Sequence, residues 1–230
     1  MLTEEDKEFM FSRMKVPINS IESKLNEPSC REYKVLIENS ISSFIKSIRA
    51  QDEAGYTPEP HSFEDSPAEI EIQERFLATL SFIKNEEAEF VFDAIRHAFS
   101  LYASNGLHQL FIGQENQAWY PKVILDSELN PNDIASLPEI ITLYRGTNRT
   151  EFLQRNYGQS WTTSRKVAHD FAFKHYENQP GFNRQERVIL RTEYPRESVY
   201  YANLAPEHEV VVNTSQIGTV TISEHDGNLI

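Results

Sequence analysis

"SWTTSRKVAHDFA", residues 160–172, changes its hydrophobic period halfway, and that change decides the fold class. Ser160, Thr162 and Ser164 alternate with Trp161 and Thr163, the two-residue period of a strand. From Arg165 the spacing turns helical. Val167, Ala168, Phe171 and Ala172 fall on one side, which predicts a helix from about Arg165 to Tyr176. Ser164 stands at the junction, where a hydroxyl caps the first turn of the helix.

Around this stretch lie other short apolar runs separated by turn residues. They are "ITLYRG" (141–146), "RVILRTEY" (187–194), "SVYYANL" (198–204), "EVVVN" (209–213) and "GTVTIS" (218–223), and each predicts a strand. Residues 1–105 differ in pattern. Thr3 with Asp6 starts a short helix, and Val35, Ile37, Ile41, Phe44, Ile45 and Ile48 recur at helical spacing over 31–50. A loop with three prolines and a glycine spans 51–67. Ser66-Pro67 then opens a helix to about Lys84, and a further one runs from about Glu86 to Ser104, where Asn105-Gly106 stops it. Helices first and strands later predict an α+β chain, with a helical region over 1–140 and a strand-rich region over 141–230.

The 230 residues are 39% hydrophobic and 25% charged, ordinary for a globular protein with one sizeable core or two small ones. The single cysteine, Cys30, can form no internal disulfide, and no Cys or His spacing suits a metal. The N-terminus is acidic and amphipathic, unlike a signal peptide, and no apolar run approaches the about 20 residues of a membrane helix. A cytoplasmic location, in the producing or a host cell, is the expectation. The net charge of −13 lies wholly in residues 1–140, with 12 Lys and Arg against 25 Asp and Glu, while residues 141–230 carry ten of each. An acidic surface repels phosphate, which argues against bulk binding to nucleic acid and favours a basic protein partner. Glycine fingerprints for dinucleotides, P-loops, HExxH and nucleophile elbows are all missing.

Three polar features sit on the predicted strands. Alternation puts Leu143 and Arg145 of "ITLYRG" on one face and Tyr144 on the other; Arg145 can fork two hydrogen bonds to a phosphate or stand in water at a strand edge. The hydroxyls of Ser160, Thr162 and Ser164 share a face and can orient a charged neighbour. In "APEHEVVV" (205–212), Glu207 and Glu209 face the same way if the chain is extended, with His208 opposite. Such carboxylates raise one another's pKa and can divide roles, or they can form a solvated turn before a buried strand.

In their order these features resemble the mono-ADP-ribosyltransferases of the arginine–serine–glutamate type, which include bacterial toxins and effectors and phage enzymes that modify host proteins. The resemblance covers about residues 141–225. It implies a catalytic core of two β-sheets packed at an angle, with NAD bound as substrate in the cleft between them. It implies that Arg145, with Gly146, holds the NAD phosphates or the nearby ribose. Thr162 takes the place of the first serine of the family's Ser-Thr-Ser motif, followed by Thr163 and Ser164. Glu209 would be the catalytic glutamate and Glu207 the acid that serves an arginine acceptor on a target protein. Phe171, Trp161 and Tyr157 are candidates to stack on nicotinamide or adenine, and "ENQPGFNRQE" (177–186) matches a loop near the phosphates. A hydrolase of NAD, a transferase to another residue or to nucleic acid, and a non-catalytic binding module are the alternatives.

Overall fold

The computed structural model describes residues 1–56, 65–109, 119–178, 182–205, 207–225 and 228–229. The chain forms two compact units, 1–124 and 125–230. The second begins before the expected boundary at 141, because 125–139 packs with the strands that follow. Gln159 bonds both the N–H and the carbonyl of Leu125, Leu129 N–H donates to Tyr200 O, and Leu137 is buried in the core of this unit. That segment has no helical or strand period, so composition alone assigns it to the wrong side.

The first unit is helical. It comprises α1 (Glu4–Glu8), a π-helical turn Phe9–Arg13, α2 (Ile18–Leu25), α3 (Pro28–Arg31), α4 (Lys34–Glu53), α5 (Pro67–Leu80) and α6 (Glu86–Asn105). Its starts follow the sequence signals. Thr3 and Asp6 form a capping box at α1, and Ser66 and Glu69 form another at α5 with Pro67 in the first turn. Gly106 stops α6 with a positive φ of 62°. The apolar faces of α4, α5 and α6 meet through Phe44, Phe76 and Phe92, with the Phe76 and Phe92 rings 5.0 Å apart. Buried Gln51 ties the three helices together, donating to Ala103 O at 2.9 Å and accepting from Ala68 N–H at 3.0 Å. Val35 departs from the expected face and is 57% exposed.

The second unit contains β1 (Ile140–Asn148), α7 (Arg149–Gln154), β2 (Ser160–Thr162), α8 (Arg165–Phe173), β3 (Arg187–Pro195), β4 (Val199–Asn203), β5 (Glu209–Val212), β6 (Thr221–His225) and β7 (Asn228–Leu229). The α+β class stands. The expectation of two sheets is corrected: all seven strands join one antiparallel sheet in the order β4-β5-β2-β1-β3-β6-β7. Short β2 bridges β1 and β5 and makes the ladder continuous. The sheet is strongly curved. β3 lies three places from β5, about 14 Å at a flat strand spacing, yet Tyr194 Oη on β3 donates to the carbonyl of Asn213 just past β5 at 2.8 Å. One face encloses a core that includes Leu143, Trp161, Leu190, Tyr194, Val210 and Val212. The other face receives α8, whose Ala168, Ala172 and Phe173 pack with Ile189 and Tyr144.

Candidate functional site

The β2–β5 ladder sets Thr162 directly opposite Glu209 and Trp161 opposite Val210. Because paired side chains share a face, Trp161 and Val210 enter the core while Thr162 and Glu209 lie on the α8 side. Ser160, two residues from Thr162, shares that side. Its hydroxyl donates to Glu209 Oε1 at 2.6 Å, and the glutamate is 9% exposed. Thr162, also buried, donates through Oγ1 to the backbone carbonyl of Glu207 at 2.9 Å and accepts from Ser164 N–H at 3.0 Å. Two hydroxyls of one short strand thus hold the two acids of the Glu-x-Glu segment, one by its carboxylate and the other by its backbone.

The segment is not extended as the sequence alone suggests. His208 adopts a left-handed conformation, φ 53°, and the strand starts only at Glu209. Thr163 N–H donates to His208 O at 3.0 Å. Strand alternation therefore does not relate Glu207 to Glu209; the Thr162 hydroxyl does.

Direct strand partners continue the line of Glu209 across the sheet. Asn203 on β4, Glu209, Thr162, Tyr144 on β1, Arg191 on β3 and Thr221 on β6 form one row, all polar and all on the α8 side. Arg191 is half-exposed and pairs with Glu193 at 2.7 Å. Tyr201, buried next to this row, has its phenol raised by burial and further by the Glu209 charge.

Arg145 is not in the row. It pairs with Leu190 across β1–β3 and so lies on the core side with Leu143, as alternation predicted, and on the opposite face from Glu209 and Thr162. Its guanidinium is already engaged. Nε donates to Glu151 Oε1 at 2.7 Å, Nη2 to Glu151 Oε2 at 3.3 Å, and Nη1 to Ser160 O. Glu151, on α7, also accepts from Thr147 Oγ1 and from Gly158 N–H at 3.0 Å. Burial acts to raise the Glu151 carboxyl, but the Arg145 charge and these hydrogen bonds together hold it below the ordinary carboxylate range.

The remaining candidates have packing or capping roles in this arrangement. Gly146 lets β1 approach α8, since a Cβ there would lie 2.0 Å from Ala168 O. Ser164 caps α8, accepting from Val167 N–H. Thr163 is half-buried beside it. Phe171 is half-buried on α8, its ring 4.6 Å from that of His175, and its carbonyl accepts from Arg187 Nη2 at 3.1 Å. Trp161 is a core residue that donates to Gly158 O at 2.9 Å. Part of the expected phosphate loop, 179–181, lies outside the described residues. Sequence reasoning overlooked Ser160 as the partner of Glu209 and Glu151 as the partner of Arg145.

No group of three or more His, Cys, Asp or Glu suited to a metal occurs among the described residues, and no described helix is long and apolar enough to cross a membrane. Comparison of the chain with models of protein families, with curated proteins and with solved structures finds no match.

Proposed function

We propose that the protein is an NAD-dependent mono-ADP-ribosyltransferase that transfers ADP-ribose from NAD to a target protein, on arginine. The observation that carries this reading is the tethering of both acids to β2: Ser160 holds the Glu209 carboxylate and Thr162 holds the Glu207 backbone. Nicotinamide leaves ribose C1′ with the electron pair of the broken C–N bond, and the sugar acquires oxocarbenium character. Glu209, buried and fixed by a short hydrogen bond, stabilises that charge without reorganising. A guanidinium nitrogen of the acceptor then bonds to C1′ and loses a proton, which Glu207 accepts. The acceptor is a weak nucleophile because it is protonated at neutral pH, so a carboxylate beside it is a chemical requirement of this route.

Arg145 contributes by position in this scheme, bonding Glu151 and the Ser160 backbone from the opposite face. On the Glu209 face the same row of strand partners carries Arg191, whose half-exposed guanidinium would exchange its Glu193 partner for the NAD diphosphate. NAD is a substrate here, consumed in the reaction. The producing or host cytoplasm supplies NAD and the target, and the acidic first unit, 12 Lys and Arg against 21 Asp and Glu over 1–124, favours a basic one.

The test is incubation with labelled NAD and cell lysates from several sources, following protein label and free nicotinamide. Wild type labels a protein and releases nicotinamide. Glu209→Gln loses both, and Glu207→Gln loses labelling while NAD cleavage survives. Nicotinamide release without labelling in any lysate would make the protein an NAD hydrolase. Neither product from folded protein would overturn the proposal in favour of a binding module.

A further inference from the structure

A concavity lies on the core side of the sheet, on the opposite face from Glu209. It has a volume of about 540 Å³ and opens between α7 with its following turn and the segment 214–220 that leads into β6. Sites for small molecules span about 300–1,000 Å³. Phe152, Tyr157, Ile217 and Val220 form apolar walls, and all four pack against the buried core. The Tyr157 ring is braced edge-on by Trp161, with centroids 6.1 Å apart and planes at 69°.

The charge at this cavity has one sign. Among the described residues, Arg155 is its only charged lining residue. Glu151, one turn earlier on α7, is neutralised by Arg145. Of the other arginines around the sheet, Arg165 bonds Glu224, Arg191 bonds Glu193, Arg187 bonds Ala172 O and Arg196 bonds Leu137 O, while exposed Arg149, at the start of α7, does not line the cavity. The Arg155 guanidinium has no hydrogen bond or ion pair among the described residues. Its backbone is left-handed, φ 51°, at the C-cap of α7. A glycine would adopt that conformation more easily, by about 1 kcal/mol, so the guanidinium is kept at the rim against a local preference. Tyr157 adds a donor: burial raises its phenol, which stays protonated at neutral pH.

We infer that this cavity binds a small aromatic molecule bearing one anionic group, a carboxylate or phosphate, with the ring against Tyr157 and Phe152 and the anion on Arg155. The inference is independent of the proposed transferase activity, because none of these residues touches Glu209, Glu207 or Thr162.

Phenyl phosphate is the probe, titrated into the full chain and followed by NMR, with phenol and inorganic phosphate as partial ligands. The expected result is saturable binding of phenyl phosphate, at least tenfold tighter than either partial ligand. Arg155→Gln weakens it at least tenfold and leaves phenol unchanged. Gly218→Trp, at a lining position where a Cβ meets nothing within 4 Å, abolishes binding, with an unchanged Tm as the check that the variant folds. Absence of saturable binding overturns the inference. Binding that survives Arg155→Gln overturns the anion specificity, and binding that survives Gly218→Trp overturns the location.

Discussion

Glu151 receives four hydrogen bonds: from Arg145 Nε and Nη2, from Thr147 and from Gly158 N–H. Replacing it with Gln removes the carboxylate paired with the 9%-exposed Arg145 side chain, and is expected to cost about 3 kcal/mol. The cost depends on pH. Because the folded carboxyl lies below its ordinary value of 4.5, the pair contributes fully above pH 4.5 and its contribution fades as pH falls through the lowered value. The difference in Tm between wild type and Glu151→Gln is therefore largest near neutrality and shrinks in acid; a difference that grows on acidification contradicts this assignment. Ser160→Ala removes a hydrogen bond to the Glu209 carboxylate and, on the proposed transferase activity, lowers kcat for NAD cleavage about tenfold, with KM little changed. Serine at 160 was legible as sharing a face with Thr162, but its partner depended on the register of β5. Glu151 went unread because α7 has only six residues and no period. The signal that could have found it is Asn148 three residues before it, a cap followed by an acid at the third helical position.

The contact between β1 and α8 is set by an atom that is missing. At Gly146 a Cβ would lie 2.0 Å from Ala168 O and 2.6 Å from Ala172 N, both backbone atoms that cannot turn aside. Gly146→Ala must push α8 off the sheet, at about 3 kcal/mol, and a Tm equal to wild type would refute the close approach. Displacing α8 also moves Ser164 and, through its N–H, Thr162, so on the proposed transferase activity NAD cleavage falls with stability. At this scale the sequence was largely readable. The period switch at Ser164 gives both β2 and the start of α8, and alternation gives the faces of β1. The end of α8 was not, since Lys174 and the residues after it continue an amphipathic pattern while Arg187 bonds the carbonyls of Phe171 and Ala172 and the helix closes at Phe173. The start of β5 at Glu209 was readable from the valine run, but the left-handed turn at His208, which takes Glu207 out of the extended chain, was not.

For the molecule as a whole, the change of pattern at 141 was visible, but the units divide at 124 and 125. Residues 125–139 belong to the sheet by backbone bonding and burial. Leu129 and Asp133 donate to Tyr200 O and Ala202 O along the open side of β4, the outermost strand at that end. Leu137 enters the core with Ile134 packed beside it, and Leu125 is fastened at both backbone groups by Gln159. Without the segment, β4 presents an unprotected edge of unpaired groups, which promotes association between chains. The core also loses Leu137, worth about 2 kcal/mol of burial. Two truncations separate the boundaries. A chain of residues 125–230 should unfold in a single cooperative transition and remain monomeric. A chain of residues 141–230 should melt at lower temperature without a sharp transition and self-associate. Equal midpoints for the two fragments would return the boundary to 141 and make 125–139 a linker.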